Sequence, residues 1–151
     1  MKKIDLGHTV GILANVGVVI GLIFLGLELR QTQSAMQAQA YQTRALDAIA
    51  WNFEIAKDDN LRRVQSALDS GNVNLGALDR DDRQIAVYLL DLIRTDVDNE
   101  HYQYQQGLLD PSFYEGVTIP MIQHYGPLWR EIGLGEGRVE FRREVDLILN
   151  Q

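Results

Sequence analysis

Residues 7–30 read GHTVGILANVGVVIGLIFLGLELR. From Thr9 to Leu27 no side chain is charged, and Thr9 and Asn15 are the polar ones in that run. A bilayer core takes roughly 20 apolar residues of helix. A helix that is apolar all round either crosses a membrane or fills the centre of a large protein. A chain of 151 residues is too small to wrap such a helix completely. The expectation is a transmembrane helix over residues 9–29, preceded by a short tail, residues 1–8.

A cleaved signal peptide is the competing reading. Lys2 and Lys3 supply a basic start, and Ala38-Gln39-Ala40 has the letters of a cleavage site. That site lies well beyond the apolar run, and the run exceeds the ~7–15 residues of a usual signal core. An uncleaved anchor fits better. Lys2 and Lys3 stand before the run, with Arg30 and then Arg44 after it. The positive-inside rule then places the N-terminus in the cytoplasm and the main domain outside. In a Gram-negative bacterial cell that would mean the inner membrane, crossed once, with the domain in the periplasm.

Within the run, Gly7, Gly11, Ala14, Gly17 and Gly21 fall within about one third of a helical wheel turned at 3.6 residues per turn. Asn15 lies at the border of that sector. A small-residue face lets two helices approach closely in lipid, and an amide can bond across the pair. The plainer reading is that glycine is simply frequent in membrane helices.

No Gly or Pro occurs between Leu27 and Ser70, and residues 31–56 are rich in the helix formers Gln and Ala. Met36, Leu46, Ile49 and Phe53 recur at helical spacing, with Ala40 and Ala56 in phase. One continuous helix to about Lys57 is predicted, its residues 30–57 forming a stalk. Such a stalk is marginal alone in water, so packing against a copy of itself or another protein is expected.

Residues 58–151 read as a helical bundle. Asp58 or Asp59 caps a helix carrying Leu61, Val64 and Leu68, and GNVNLGA is a loop. Asp79 caps a long helix that Gly107 stops. Asp110-Pro111 opens another helix, expected to kink or break at Pro120. Gly126-Pro127 is read as the start of a short turn. A last helix carries Phe141, Val145 and Ile148 or Leu149 in phase. With no alternating strand pattern, the fold class is all-α, of about four to five helices packed on the stalk base.

Chemistry concentrates in Thr95–Pro111, TDVDNEHYQYQQGLLDP. Ile93, Val97 and Tyr104 share a face with Glu100, and Asp96 stands one turn before it. Asp98-x-x-His101 sets a carboxylate and an imidazole on one side, but di-iron bundles need paired Glu-x-x-His helices and no second copy exists. The leading expectation is a structural hydrogen-bond network of Asp96, Asn99, Glu100, His101 and Tyr104, with Arg94 or Arg44 pairing the acid. An acid–base pair of Asp96 and Glu100, or a metal site, is the minor alternative.

Net charge is −7, and from Gln31 onward 11 Lys or Arg face 19 Asp or Glu. Sequence-independent nucleic-acid binding depends on basic side chains, so it is not expected here. The absence of cysteine removes disulfides and thiolate chemistry. No nucleotide-binding, hydrolase, zincin or EF-hand pattern is present, and no cofactor is expected.

The run LELRQTQSAMQAQAYQ after the anchor, the segment NEHYQYQQGLLDPSFYE and the later GPLWREIG together resemble a group of small, uncharacterised bacterial membrane-anchored helical proteins. The resemblance covers most of the chain and implies the architecture, with no activity and no catalytic residues. The function expected is a membrane-anchored interaction protein, either a self-assembling scaffold or an accessory subunit of a larger membrane complex. Its partners would be membrane lipid and a homo-oligomer or another membrane protein. A sensor or ligand-binding module near Glu100, Tyr104 and Trp129 is the alternative, and a metal-dependent enzyme ranks below it.

Overall fold

The structure, a computed structural model, describes residues 6–133 and 137–150. Among them every regular element is helical. The first, α1, runs Leu6–Lys57 without a break, 52 residues. Residues 1–39 and 40–151 form two compact units.

In the first unit α1 is the one element, and its side chains from Val10 to Gln39 are exposed wherever they are described. This part of α1 is long and apolar enough to cross a membrane, and none of its apolar window is buried. Gly11, Gly17 and Gly21 have open space around the position of a Cβ, and Ala14 and Asn15 are likewise exposed. The side chains of residues 6–9, around Gly7, lie outside the described ones.

The second unit begins inside α1. Its core gathers Val64 and Leu68 from α2 (Asp59–Asp69), and Leu89, Leu90, Ile93 and Val97 from α3 (Arg80–Gln105). Ile122, Tyr125 and Trp129 come from α5 (Ile119–Glu131), and Phe141 and Ile148 from α6 (Val139–Leu149). Trp51 of α1 packs against this core. Residues 71–79, read as a plain loop in part, contain a 3₁₀ turn, Leu75–Ala77, that buries Leu75.

Three aspartates start the helices. Asp58 accepts from the Asn60 and Leu61 amides, Asp79 from that of Asp82, and Asp110 from that of Ser112. Each satisfies amides that the first helical turn leaves without partners. Arg63 ties α2 to the first turn of α3 through Asp82, with Nη2 to Oδ1 at 2.8 Å. Gly107, at φ +68°, provides the left-handed residue that ends α3.

Two expectations are corrected. Pro120 does not break its helix. A single turn, α4 (Pro111–Phe113), passes into a π-helical turn (Tyr114–Thr118) and then directly into α5. The Ile119 amide reaches back five residues to the Tyr114 carbonyl. That wider turn gives the Pro120 ring room which a regular turn withholds. Gly126-Pro127 does not open a turn either, because Pro127 lies inside α5. Tyr125, Gly126 and Trp129 around it are buried, so tertiary packing carries the helix past the missing amide.

At Gly126, α5 packs closely against α6. A Cβ there would stand 2.7 Å from Leu149 Cδ1. Gly126→Val should overpack this contact and cost about 1–3 kcal/mol. A lower urea midpoint, followed by the fluorescence of Trp51 and Trp129, is the expected result; an unchanged midpoint would show that α6 yields freely.

Candidate functional site

The second unit contains a cavity of about 340 Å³, bounded by α1, α3 and α4. From α1 come Arg44, Asp47 and Trp51; from α3 come Asp96 and Glu100; from α4 comes Phe113. The i, i+4 spacing of Asp96 and Glu100 turns both carboxyls toward the same side of α3. Arg44, Asp47 and Trp51 likewise fall on successive turns of α1.

Glu100 is 4% exposed. Its Oε2 accepts from Thr118 Oγ1 at 2.8 Å, and Thr118 is itself fully buried in the π-helical turn. Burial drives the Glu100 carboxyl above its ordinary range; Asp96 adds to this, while Thr118 and Arg44 oppose it. Asp96 stands exposed at the rim. Its carboxyl is also raised, first by partial desolvation and then by Asp47, with Arg44 again opposing. Arg44 lies over the Phe113 ring, 5.4 Å from its centroid, and donates to Gln103. Its Nε is buried with no partner.

His101, one residue on, looks the other way. It is buried, with Nδ1 2.7 Å from the Tyr114 hydroxyl. Burial lowers its pKa, chiefly against the pull of Glu144, which favours the neutral ring. Tyr114 stacks on Tyr104, with centroids 4.0 Å apart and planes 4° apart. Burial also raises the Tyr114 hydroxyl's pKa, so it stays protonated.

The expected network is therefore split in two. Glu100 with Asp96 faces the cavity, and His101 with Tyr104 belongs to an aromatic cluster on Tyr114. Asn99 is exposed and joins neither. Arg94 pairs with Asp91 at 2.8 Å, and Arg44 is the cation that acts on Glu100. Asp98 is held at 2.8 Å by Arg138 Nε from the start of α6, so Asp98 and His101 serve different neighbours. His124 bonds the Leu68 carbonyl at 3.1 Å. Among the described residues no group of three or more side chains is placed to share a metal ion.

Thr118, Asp47 and Trp51 were not legible as site residues. Asp47 and Glu100 are 53 positions apart in sequence, and no local motif links them. What this arrangement can do chemically is hold a proton, or a small cation, between carboxyls walled by aromatic rings.

The raised carboxyl gives a pH test. The native Glu100 binds its proton more tightly than the unfolded residue, whose pKa is near 4.5. Its contribution is therefore intact below that value and is lost as pH rises through the native pKa. Glu100→Gln should become progressively more stable than the wild type above pH 4.5 and then level off. Glu100→Ala, compared at pH 4.5, should lose about 1–3 kcal/mol, because it strands the Thr118 hydroxyl. Urea titrations across pH 4–8 would read both; a Gln variant with no pH-dependent difference would mean that Glu100 is not desolvated.

Comparison with protein-family models, with curated proteins and with solved structures finds no match for this chain.

Proposed function

We propose that the chain is a single-pass, membrane-anchored interaction protein, working as a self-assembling scaffold or as an accessory subunit of a larger membrane complex. The observation that carries this reading is the wholly unburied apolar part of α1. Leu13, Val16, Val18, Ile20, Leu22 and Phe24 each stand about half exposed or more. In water that area would drive aggregation, and a lipid bilayer is the solvent it suits. The resemblance to small bacterial membrane-anchored helical proteins agrees with this, and Lys2 and Lys3 favour a periplasmic domain in such a cell. Glycines with open space around them suit close contact with another helix.

The full-length protein should stay with membranes through alkaline carbonate extraction. A reporter fused after Gln151 should be active in the periplasm. Release into the soluble fraction would remove the anchor. A cytoplasmic reporter signal would reverse the orientation and leave the anchor intact.

A second reading, a small-ligand sensor, rests on the cavity. Glu100 and Asp96 beside Trp51 and Phe113 suit a small organic cation held by carboxylates and aromatic faces. Primary and quaternary amines at millimolar concentration should raise the melting temperature of the wild type and not that of Glu100→Gln. No shift with any of them counts against the sensor.

A further inference from the structure

The part of α1 inside the second unit has two sides. Arg44, Trp51 and Ile55, half-buried, face the bundle. Leu46, Ile49 and Phe53 are 66%, 53% and 61% exposed. At 100° per residue the second set lies roughly 180° from the first around the helix. The helix therefore turns one side to its own domain and presents a second apolar strip directly away from it.

That strip has the spacing of a coiled-coil seam. Leu46 and Phe53 take one core position of a seven-residue repeat, and Ile49 and Ala56 take the other. Arg44 and Trp51 then fall on the outermost position, opposite the seam. The flanking positions hold Thr43, Ala45, Ala50 and Asn52. Thus the whole contact face from Gln42 to Ala56 is uncharged, on a chain of net charge −7. Continued toward the N-terminus of the sequence, the same count meets Ala35, the charged Glu28, Gly21, Ala14 and Gly7 at one core position, and Leu25, Val18 and Gly11 at the other, so the uncharged seam is that of residues 42–56.

We infer that this strip is the contact between two copies of the chain, paired in parallel along α1. This inference rests on the membrane-anchored interaction reading and names its partner. A second copy is the occupant for three physical reasons. In a parallel pair each heptad position meets its own counterpart, so a two-fold contact needs only a self-compatible seam, and Leu, Ile and Phe supply one. Two acidic chains repel across most of their surfaces, and this face is free of charge. Three large side chains make a small patch against the roughly 1,200–2,000 Å² of an ordinary stable interface. Anchors that hold both copies in one membrane with the same orientation raise their effective concentration and compensate for the small area.

The chain has no cysteine, so single-cysteine variants of the full-length protein in nanodiscs report the contact directly. Leu46→Cys, Ile49→Cys and Phe53→Cys should each cross-link on mild oxidation roughly tenfold or more faster than Glu54→Cys and Tyr41→Cys, since a disulfide closes only between Cβ atoms about 3.5–4.5 Å apart. Cross-links at both 46 and 53 require a parallel pair. Phe53→Glu, at an exposed site that the fold of one copy does not need, should abolish the dimer by light scattering and leave the helical circular dichroism unchanged. A dimer that cross-links equally at all five positions, or survives Phe53→Glu, overturns the seam and leaves the interaction reading standing. A strict monomer that co-purifies with nothing overturns both.

Discussion

Between Leu27 and Ser70 the chain has no glycine or proline, so nothing interrupts the backbone ladder of α1. Each amide in the middle of this helix has its partner four residues back. One helix therefore carries both an apolar run and a share of the bundle's packing. Its first part, up to about Leu27, carries apolar side chains on every side. Its last part contributes Trp51 to a packed core.

Seen from the bundle, α1 contributes charged side chains as well as apolar ones. Arg44 and Asp47 enter the cavity beside Trp51, and Glu100 meets them from α3. A carboxyl 4% exposed is costly unless it is bonded or protonated. Thr118 provides one bond, and burial shifts the balance of the carboxyl toward its protonated form. The donor comes from the π-helical turn, the one irregular turn of the α4–α5 run, which Pro120 follows two residues later. The proline that sequence rules treat as a breaker thus lies beside the turn that delivers the hydroxyl. Wide turns of this kind recur at functional sites.

The all-α class, the continuous first helix and the aspartate starts were legible because each is a local property. A cap needs only three neighbouring residues, and a glycine stop needs one. The shared face of Ile93, Val97 and Glu100 on α3 was legible from their spacing, and all three are buried. What could not be read was governed by distance. Asn99 adjoins Glu100 in sequence but turns about 100° away on the helix, out to solvent. Pro120 and Pro127 looked like interruptions because local propensity ignores the packing of Tyr125, Gly126 and Trp129 that holds the helix together. Thr118 carried no signal, since a threonine before a proline reads as an ordinary helix edge.

The apolar spacing of α1 illustrates the same limit from the other side. Leu46, Ile49 and Phe53 are the residues that periodicity selects, and by habit such a stripe is assigned to the core of its own domain. The domain instead takes the face of Ala40, Arg44, Trp51 and Ile55, which is mixed in character and has no clean hydrophobic period. A helix spending its regular apolar face outward, and its irregular face inward, is under two selections at once. The inward face must fit a cavity with a buried acid, so it carries an arginine and an aspartate. In the proposed pairing the outward face has only to match something equally uncharged and equally regular, and a heptad of small flanks around Leu, Ile and Phe would match itself.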